Sequence, residues 1–268
     1  MKRAMYLLLT AVIFLLVSQA FAFGSQENGW SYTVGGLVQY EPVYPGSDQY
    51  GIMPLPYVNI TYTQDEFQFF AGMMNGIGTS YTHTDTGLFV SGGVDRGIIR
   101  DPENEKVDKL LEDTPKAVNY VKGIGRVGWK FFAGEIVTGL EYYPTTLEYA
   151  NGDEKFYNAF LWNSSLVTGY PVMENLLILG EGIVSVMDES YADAFYSLGD
   201  GTDRLDEFDA GAGIHSVEGN LILLYFIHKK VAFVACGGAA RYLGDAADSP
   251  FTRDAVNPKG VALLMYTF

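Results

Sequence analysis

The stretch "SYTVGGLVQY", Ser31–Tyr40, alternates between apolar and polar residues. Tyr32, Val34, Val38 and Tyr40 share one face, and the other face carries mainly serine, threonine, glycine and glutamine. Because successive side chains of a β-strand point to opposite faces, this period of two predicts a strand with one apolar face. Such a strand suits a soluble sandwich, with that face inside, or a membrane barrel, with that face toward lipid.

The same period recurs in "EFQFFAGM" (66–73) and "EIVTGLEYY" (135–143). The polar faces carry glycine and acids, such as Gly139 and Glu141, and no second hydrophobic set. The apolar faces often end in an aromatic residue, which is typical of the interfacial girdles of membrane barrels. These residues are Tyr32, Tyr40, Tyr62, Tyr142 and Tyr266. We therefore predict an all-β fold, an antiparallel transmembrane β-barrel.

The composition fits this fold and excludes some partners. Aromatic residues make up 15% of the chain, glycine contributes 31 of 268 residues, and the formal net charge is −15. An acidic chain repels phosphate backbones, so we expect no nucleic-acid partner. The single cysteine, Cys236, lies between small residues and is interpreted as a small buried side chain.

The first residues have the pattern of a secretory signal. Lys2 and Arg3 precede the apolar run Met5–Val17, and the small-x-small sequence Ala20–Ala22 follows. The alternative is an N-terminal membrane anchor, but the run is short for a span of about 20 residues. We predict a signal peptide at 1–22 and a barrel at 23–268.

The C-terminus, "GVALLMYTF", ends in an alternating strand whose apolar face includes Tyr266 and the terminal Phe268. A terminal aromatic residue on such a strand is similar to the assembly signal of bacterial outer-membrane barrels. We predict that the chain is located in the outer membrane of a Gram-negative-type cell, with outer-membrane lipid and the barrel-assembly machinery as partners.

About twelve strands are predicted, although ten or fourteen also fit. Their ranges are 30–41, 50–62, 66–78, 87–95, 125–132, 135–149, 155–168, 174–187, 208–217, 219–228, 231–242 and 259–268. An even number places both termini on the periplasmic side.

Counting from a periplasmic N-terminus assigns a side to each connection. Segments 42–49, 79–86, 169–173 and 243–258 then fall outside, whereas 96–124 and 188–207 fall in the periplasm. Segment 96–124 also has the apolar spacing of a short helix. Apolar residues among charges suit protein binding, so we predict partner contacts at Leu110, Leu111, Tyr191, Phe195 and Tyr196.

The stretch Tyr40–Tyr62 combines strand-forming residues with prolines. Tyr44–Asp48, "YPGSD", has the proline, glycine and aspartate of a tight turn. Pro54 and Pro56 then occupy alternate positions of the following strand, so both point to one face. Since proline cannot donate to a β-ladder, we expect a bulge, a rim or a weakened seam there.

These residues resemble the MipA/OmpV family of outer-membrane proteins. The resemblance covers three motifs and the aromatic C-terminus. The matching positions are Tyr44, Gly46, Ser47, Tyr50, Pro54 and Pro56; Asp209, Gly211 and Gly213; and Leu243, Gly244, Asp245, Asp248, Ser249 and Pro250. The matches span most of the mature chain and are weaker in its middle.

The resemblance implies an envelope barrel that acts without catalysis. One family member is a scaffold that joins a lytic transglycosylase to a murein polymerase, so periplasmic murein enzymes are expected partners here. The alternative is a small porin-like channel for small, cationic solutes, because the predicted lumen is acidic and rich in glycine.

No catalytic, cofactor or metal site is predicted. His215 and Ser216 lie near Asp206 and Asp209 in sequence, which are the residue types of a hydrolytic triad. Neighbours on a strand face opposite ways, however, so we expect His215 and Ser216 not to meet. His83 and Asp85 share one side of a loop, but nothing nearby has the spacing of a structural metal site.

Overall fold

The computed structural model describes residues 28–97, 99–100, 111, 114–131, 133–149, 151–199 and 205–268. Twelve antiparallel strands close into a barrel, because the first strand pairs with both the second and the last. All the described strands except β6 and β7 belong to this barrel; in chain order they are β1 (Gly29–Pro42), β2 (Tyr50–Gln64), β3 (Phe67–Gly72), β4 (Gly76–Thr82), β5 (Leu88–Arg96), β6 (Ile99–Arg100), β7 (Lys116–Val118), β8 (Val121–Phe131), β9 (Gly134–Glu148), β10 (Glu154–Met173), β11 (Leu176–Met187), β12 (Gly213–His228), β13 (Val231–Tyr242) and β14 (Val256–Thr267).

The strands β6 and β7 lie outside the closed ring. They pair with each other, and β7 extends the sheet beside the end of β9 through Lys116 and Glu148. The described part of the chain also contains two short helices, α1 (Glu189–Tyr196) and α2 (Asp245–Asp248). Within the described residues, neither helix has the length or the apolar character needed to cross a membrane. The predicted all-β antiparallel barrel of twelve strands is confirmed.

The alternation of the sequence becomes an outer and an inner face. In β1, Trp30 and Tyr40 are exposed on the outside, whereas Leu37 and Gln39 are buried in the lumen. The ring of Trp30 contacts Tyr62 with centroids 4.9 Å apart, and Tyr40 stacks on Tyr50 at 5.1 Å. Ten residues separate the two aromatic levels, and at about 3.3 Å per residue and a tilt of about 40° they lie roughly 25 Å apart across the membrane.

The correct strand number resulted from two errors that cancel. The predicted strand 66–78 is the hairpin β3–β4, which turns at 73–75 before Gly76 with φ +67°. The predicted pair 208–217 and 219–228 is the single strand β12, because Gly219 is held between β11 and β13 and causes no break. The short helix expected within 96–124 lies mostly outside the described residues; of its predicted apolar positions, only Leu111 is described.

The extra hairpin moves the long connections to one end of the barrel. The turns at 65–66, 83–87, 132–133, 174–175 and 229–230 lie at the same end as the termini of the barrel. The connections 43–49, 97–120, 149–153, 188–212 and 243–255 lie at the other end. Since membrane barrels keep short turns in the periplasm, we name the first the periplasmic end and the second the outer end.

This arrangement corrects the predicted sides. The described parts of segments 96–124 and 188–207 lie at the outer end, with 42–49 and 243–258, and not in the periplasm. The predicted outer connections 79–86 and 169–173 coincide instead with the periplasmic turns and the strand ends beside them. Because the turn at 73–75 was missed, every connection between β4 and β12 was assigned to the wrong side of the membrane. The false break predicted within β12 reversed the assignment again, so the later connections were placed correctly.

Candidate functional site

The first motif forms a rigid turn at the outer end. Gly46 has φ +90°, and the N–H of Ser47 donates to the carbonyl of Tyr44 at 3.0 Å. The N–H of Gly46 donates to the Asn257 side-chain oxygen at 2.7 Å, and Asn257 donates back to the carbonyl of Ser47 at 3.1 Å. The turn is therefore anchored to the start of the last strand.

The other two motifs bind to each other and to α1. The N–H of Gly211 donates to the carboxylate of Asp245 at 2.8 Å, which joins the second motif to the third. The hydroxyl of Ser249 donates to the carbonyl of Tyr196 at 2.7 Å. Asp209, Gly244 and Asp248 are exposed, so they do not take part in this packing through buried side chains. The motif residues thus hold the outer connections together around α1.

The helix α1 closes the outer mouth of the barrel. Its N-cap is Asp188, whose carboxylate accepts hydrogen bonds from the N–H groups of Tyr191 at 2.7 Å and Phe160 at 3.0 Å. The latter bond ties the helix start to the barrel wall. Buried aromatic rings surround the helix within the mouth, with Tyr143 edge-on to Tyr191 at 5.3 Å between centroids.

The predicted partner contacts are corrected by this burial. Tyr191, Phe195, Tyr196 and Leu111 have at most 7% of their surface exposed, so they are core residues of the mouth. They were expected to be anchors for a partner, but these four side chains are buried within the protein. Leu110 lies outside the described residues.

A charged cluster lies below the mouth, on the inner face of β8 and β9. The ammonium of Lys122 is 3.0 Å from the Glu141 carboxylate, and the guanidinium of Arg126 is 3.6 Å from it. The hydroxyl of Tyr143 also donates to Glu141. All four side chains point into the lumen, and Glu141 is the group that holds the cluster together.

The opposite wall of the lumen carries a polar belt above an apolar layer. In the belt, Lys259 pairs with Glu218, and Asn220 donates to Glu218 at 2.6 Å and to Glu181 at 2.8 Å. The next lumen residues toward the periplasm after Glu181, Asn220 and Lys259 are apolar; they are Leu179, Ile222 and Val261. This layer is a buried cluster that includes Leu37, Val167, Leu179, Ile222, Leu224, Val234, Val261, Leu263 and Met265.

The wall that runs from β4 through β5, β8 and β9 to β10 is more polar. Its inward positions carry small polar residues, Ser80, Ser91, Asn163 and Ser165, which stay partly accessible to solvent. The lumen therefore has an apolar layer on one side and a more polar wall on the other.

His215 and Ser216 do meet, contrary to the prediction. The pairing of β11 with β12 shifts between Ser185 and Val186, so an extra residue is accommodated at His215 and both side chains turn inward. The His215 Nδ1 and Ser216 Oγ atoms are 2.9 Å apart, and Nε2 lies 2.8 Å from the hydroxyl of Tyr196. A tyrosine therefore occupies the place of a triad carboxylate, and both residues are buried in the closed mouth.

No group of three or more potential metal ligands occurs among the described residues. His83 and Asp85 instead belong to an ordered pair of periplasmic turns. The carboxylate of Glu66 accepts hydrogen bonds from the Tyr81 hydroxyl at 2.6 Å and the Thr84 N–H at 2.8 Å. These donors hold the pKa of Glu66 below its ordinary value, first through Tyr81 and then through Thr84.

The same turns are fixed to the barrel wall. The indole N–H of Trp129 donates to the carbonyl of Thr86 at 2.8 Å, and the N–H of Lys130 donates to the carbonyl of Gly87 at 2.9 Å. Thr84, Asp85 and Thr86 are nonetheless exposed. The turns 65–66 and 83–87, which we call the periplasmic turn pair, present a rigid polar surface.

The predicted assembly signal lies at the seam of the barrel. Phe268 and Tyr266 both point outward, with their rings edge-on and 4.8 Å apart.

Residues 34–268 match the family described as MltA-interacting protein MipA. The chain belongs to the MipA family. The match covers the barrel from β1 to the C-terminus and includes all three motifs. In this MipA-family barrel, the motif residues Gly46, Ser47, Gly211, Asp245 and Ser249 form hydrogen bonds at the outer mouth, whereas Pro54 and Pro56 lie within the strand β2.

The chain is similar to several solved outer-membrane proteins. The toluene transporter TodX of Pseudomonas putida is 11% identical with a TM-score of 0.41, over 99% of this chain and 95% of TodX. The translocator domain of the autotransporter NalP of Neisseria meningitidis is 10% identical with a TM-score of 0.44, over 96% and 95%. The channel DcaP of Acinetobacter baumannii is 9% identical with a TM-score of 0.40, over 90% and 96%. No curated protein matches the sequence.

Sequence reasoning missed several residues that build the MipA-family mouth and rim. Asn257 is fully buried against the first motif, yet an asparagine before proline in a strand gives no such signal. Glu66 and Thr84 were also missed, because their partnership joins two turns that the predicted strands kept apart.

Proposed function

We propose that this MipA-family barrel is a non-enzymatic scaffold of the outer membrane, which binds murein enzymes at its periplasmic end. The observation that carries the proposal is the filled lumen. Ile222, Leu224 and Leu263 each have 0% of their surface exposed, although a lumen residue beside a wide aqueous pore would be accessible to water.

The outer mouth adds a second obstruction. The helix α1 and the aromatic rings around it pack within that end, and Ser249 of the third motif holds the end of the helix. A solute would have to displace this packing before it reached the apolar layer. A barrel closed at two levels acts most simply through its surface.

The family description gives the kind of partner. The family is named for its interaction with MltA, a murein enzyme. We propose that this chain likewise binds a lytic transglycosylase, together with a murein polymerase. The periplasmic turn pair is the contact surface we propose for them. Its backbone and the hydroxyls of Thr84 and Thr86 are held by hydrogen bonds, so little conformational entropy of these groups is lost on binding.

Binding of the purified barrel in nanodiscs to a membrane-bound lytic transglycosylase tests the proposal. We expect Asp85→Lys to weaken binding at least tenfold, because it reverses a charge on the turn pair. The matched control is Asp153→Lys, which makes the same change at an exposed site of the outer end. Equal affinities of both variants and of the unchanged protein would overturn the assignment of the contact surface, and no binding at all would overturn the scaffold.

A small-solute channel is the second candidate, and the polar side of the lumen favours it. Ser80, Ser91, Asn163 and Ser165 line a strip that stays partly accessible beside the dry core. The charged cluster at Glu141 would then be its constriction. Stepwise currents from the purified protein in planar bilayers, reduced or blocked by larger side chains at Ser91, would support the channel in place of the scaffold.

A further inference from the structure

The strand β13 carries a cation, Arg241, on its lipid-facing side near the outer end. Successive side chains of a strand point to opposite faces. Ala240 and Tyr242, on either side of Arg241, are buried in the lumen, whereas Arg241 is exposed. Its guanidinium therefore projects outward from the barrel wall.

The register places Arg241 at the outer membrane interface. Tyr40, at the outer aromatic level, pairs with Gly260, which pairs with Gly237. This row of pairs descends toward the periplasm, because it continues to Gly134 beside the turn 132–133. At a spacing of about 4.8 Å and a tilt of about 40°, each strand lowers the row by about 3 Å. Gly237 thus lies roughly 6 Å below Tyr40, and Arg241, farther along β13, lies roughly 4 Å above it, at the level of lipid head groups.

The guanidinium of Arg241 has no partner within the described part of the chain. Its direct neighbours in the sheet are Val217 on β12 and Val256 on β14, and both are exposed. Asp254 follows on the same side, but its carboxylate accepts the Val256 N–H at 2.9 Å and forms no ion pair with Arg241. The connection 243–255, directly above the strand, is described throughout. The N–H groups of Arg241 are therefore available to a group outside the protein.

The wall directly below Arg241 is apolar and flat. Ala239 is the next outward residue of β13, and Gly219 pairs with it from β12. An added Cβ at Gly219 or Gly237 would meet nothing within 4 Å, which shows that both positions open outward. Hydrocarbon chains can therefore approach the backbone closely below the guanidinium. The surface combines a cation at the level of head groups with an apolar wall at the depth of acyl chains.

We propose that Arg241 binds the phosphate group of a phosphorylated lipid in the outer leaflet, whose acyl chains lie on the wall below. A guanidinium presents its N–H groups in a planar fork that matches two phosphate oxygens, and these hydrogen bonds are charge-assisted. The outer connections nearby are acidic, with Asp245, Asp248 and Asp254 exposed, and they repel phosphate. A soluble protein partner fits poorly, because the wall below Arg241 lies in the hydrocarbon region.

Titration of the folded barrel in neutral detergent with diphosphoryl lipid A, followed by native mass spectrometry, tests the proposal. We expect Arg241→Gln to weaken binding about fivefold, which is the effect of one cation beside an anionic lipid. The matched control is Lys155→Gln, which removes the same charge from the outer end. Lys155 is exposed, but its ammonium lies over the ring of Tyr157 on the inner side of β10. Unboiled gel mobility identifies the variants that have folded.

Lipid A without phosphate groups should bind the unchanged protein and Arg241→Gln equally, because the contact that is lost is to phosphate. Equal affinities of these two proteins for diphosphoryl lipid A would overturn the proposal. An equal loss in Lys155→Gln would also contradict it, since the attraction would then be to overall charge. Displacement of the lipid by excess inorganic phosphate, but not by chloride at the same ionic strength, would show a site for a free anion in place of a lipid.

Discussion

The N–H of Phe268 donates a hydrogen bond to the carbonyl of Tyr32 at 2.9 Å, which joins the last residue of the chain to the first strand. The C-terminal residue therefore contributes to the pairing of β14 with β1 that closes the barrel. This contact lies at the periplasmic end, where Phe268 remains 63% exposed.

Deleting Phe268, or changing Tyr266 and Phe268 to serine, should lower the amount of assembled barrel in the outer membrane. The lost ring is exposed, so the stability of the barrels that do assemble should change little. Heat-modifiable gel mobility of membrane fractions measures the assembled amount. Tyr170→Ser, which removes another exposed aromatic ring near the periplasmic end, is the control. Unchanged levels of the Phe268 variants would mean that the terminal residue does not direct assembly.

Gly46→Ala should destabilise the outer mouth by about 1–3 kcal/mol in urea unfolding. The residue has φ +90°, and an added Cβ would lie 2.8 Å from the Thr252 hydroxyl. Gly213→Ala is the matched control, because a Cβ at that motif glycine meets nothing within 4 Å. Equal effects of the two changes would argue against the strained, anchored turn.

Glu141→Gln should destabilise the barrel by about 3–5 kcal/mol, because it leaves the buried Lys122 and the nearby Arg126 without their counter-charge. The double variant Lys122→Met, Glu141→Gln removes one of those cations and should be more stable than Glu141→Gln alone. Equilibrium unfolding in lipid vesicles measures both. If the loss of unfolding free energy in the double variant equals the sum of the losses in Lys122→Met and Glu141→Gln, the two charges are not coupled.

The periplasmic turn pair should loosen in acid. The ordinary pKa of Glu66 is 4.5, and hydrogen bonds lower it in the folded protein. The order gained from the carboxylate is therefore present above pH 4.5 and lost as pH falls through the lowered pKa. Protection of the Thr84 amide against hydrogen exchange should follow this change, and Glu66→Gln should abolish the pH dependence. The Met73 amide, bound to the Val58 carbonyl, is the internal control.

The assigned ends predict which residues an impermeant thiol reagent reaches in intact cells. Asp153→Cys at the outer end should react, and Asp85→Cys on the turn pair should react only after the cells are opened. The reverse pattern would invert the barrel.

The sequence predicted the barrel because alternation and aromatic levels are local properties of each strand. It misplaced the connections because strand ends depend on neighbours. Asn75-Gly76 was a hairpin signal that could have revealed the turn at 73–75. Gly219 resembled a turn but lies between two paired strands, which hold the chain extended.

The mouth could not be predicted, because it depends on contacts between distant segments. From the sequence, the aromatic residues of α1 were interpreted as exposed contact residues, because charged residues surround them. They are buried only because residues from distant strands pack around them in the folded barrel. The meeting of His215 and Ser216 depends on a bulge that no residue type signals.

Photo-crosslinking in living cells from position 85 tests the central claim most directly. A barrel that acts by contact at its periplasmic end should yield crosslinks to murein-processing enzymes from a crosslinker at Asp85 and none from one at Asp153. Absence of murein enzymes at position 85, or their equal recovery from both positions, would contradict the account.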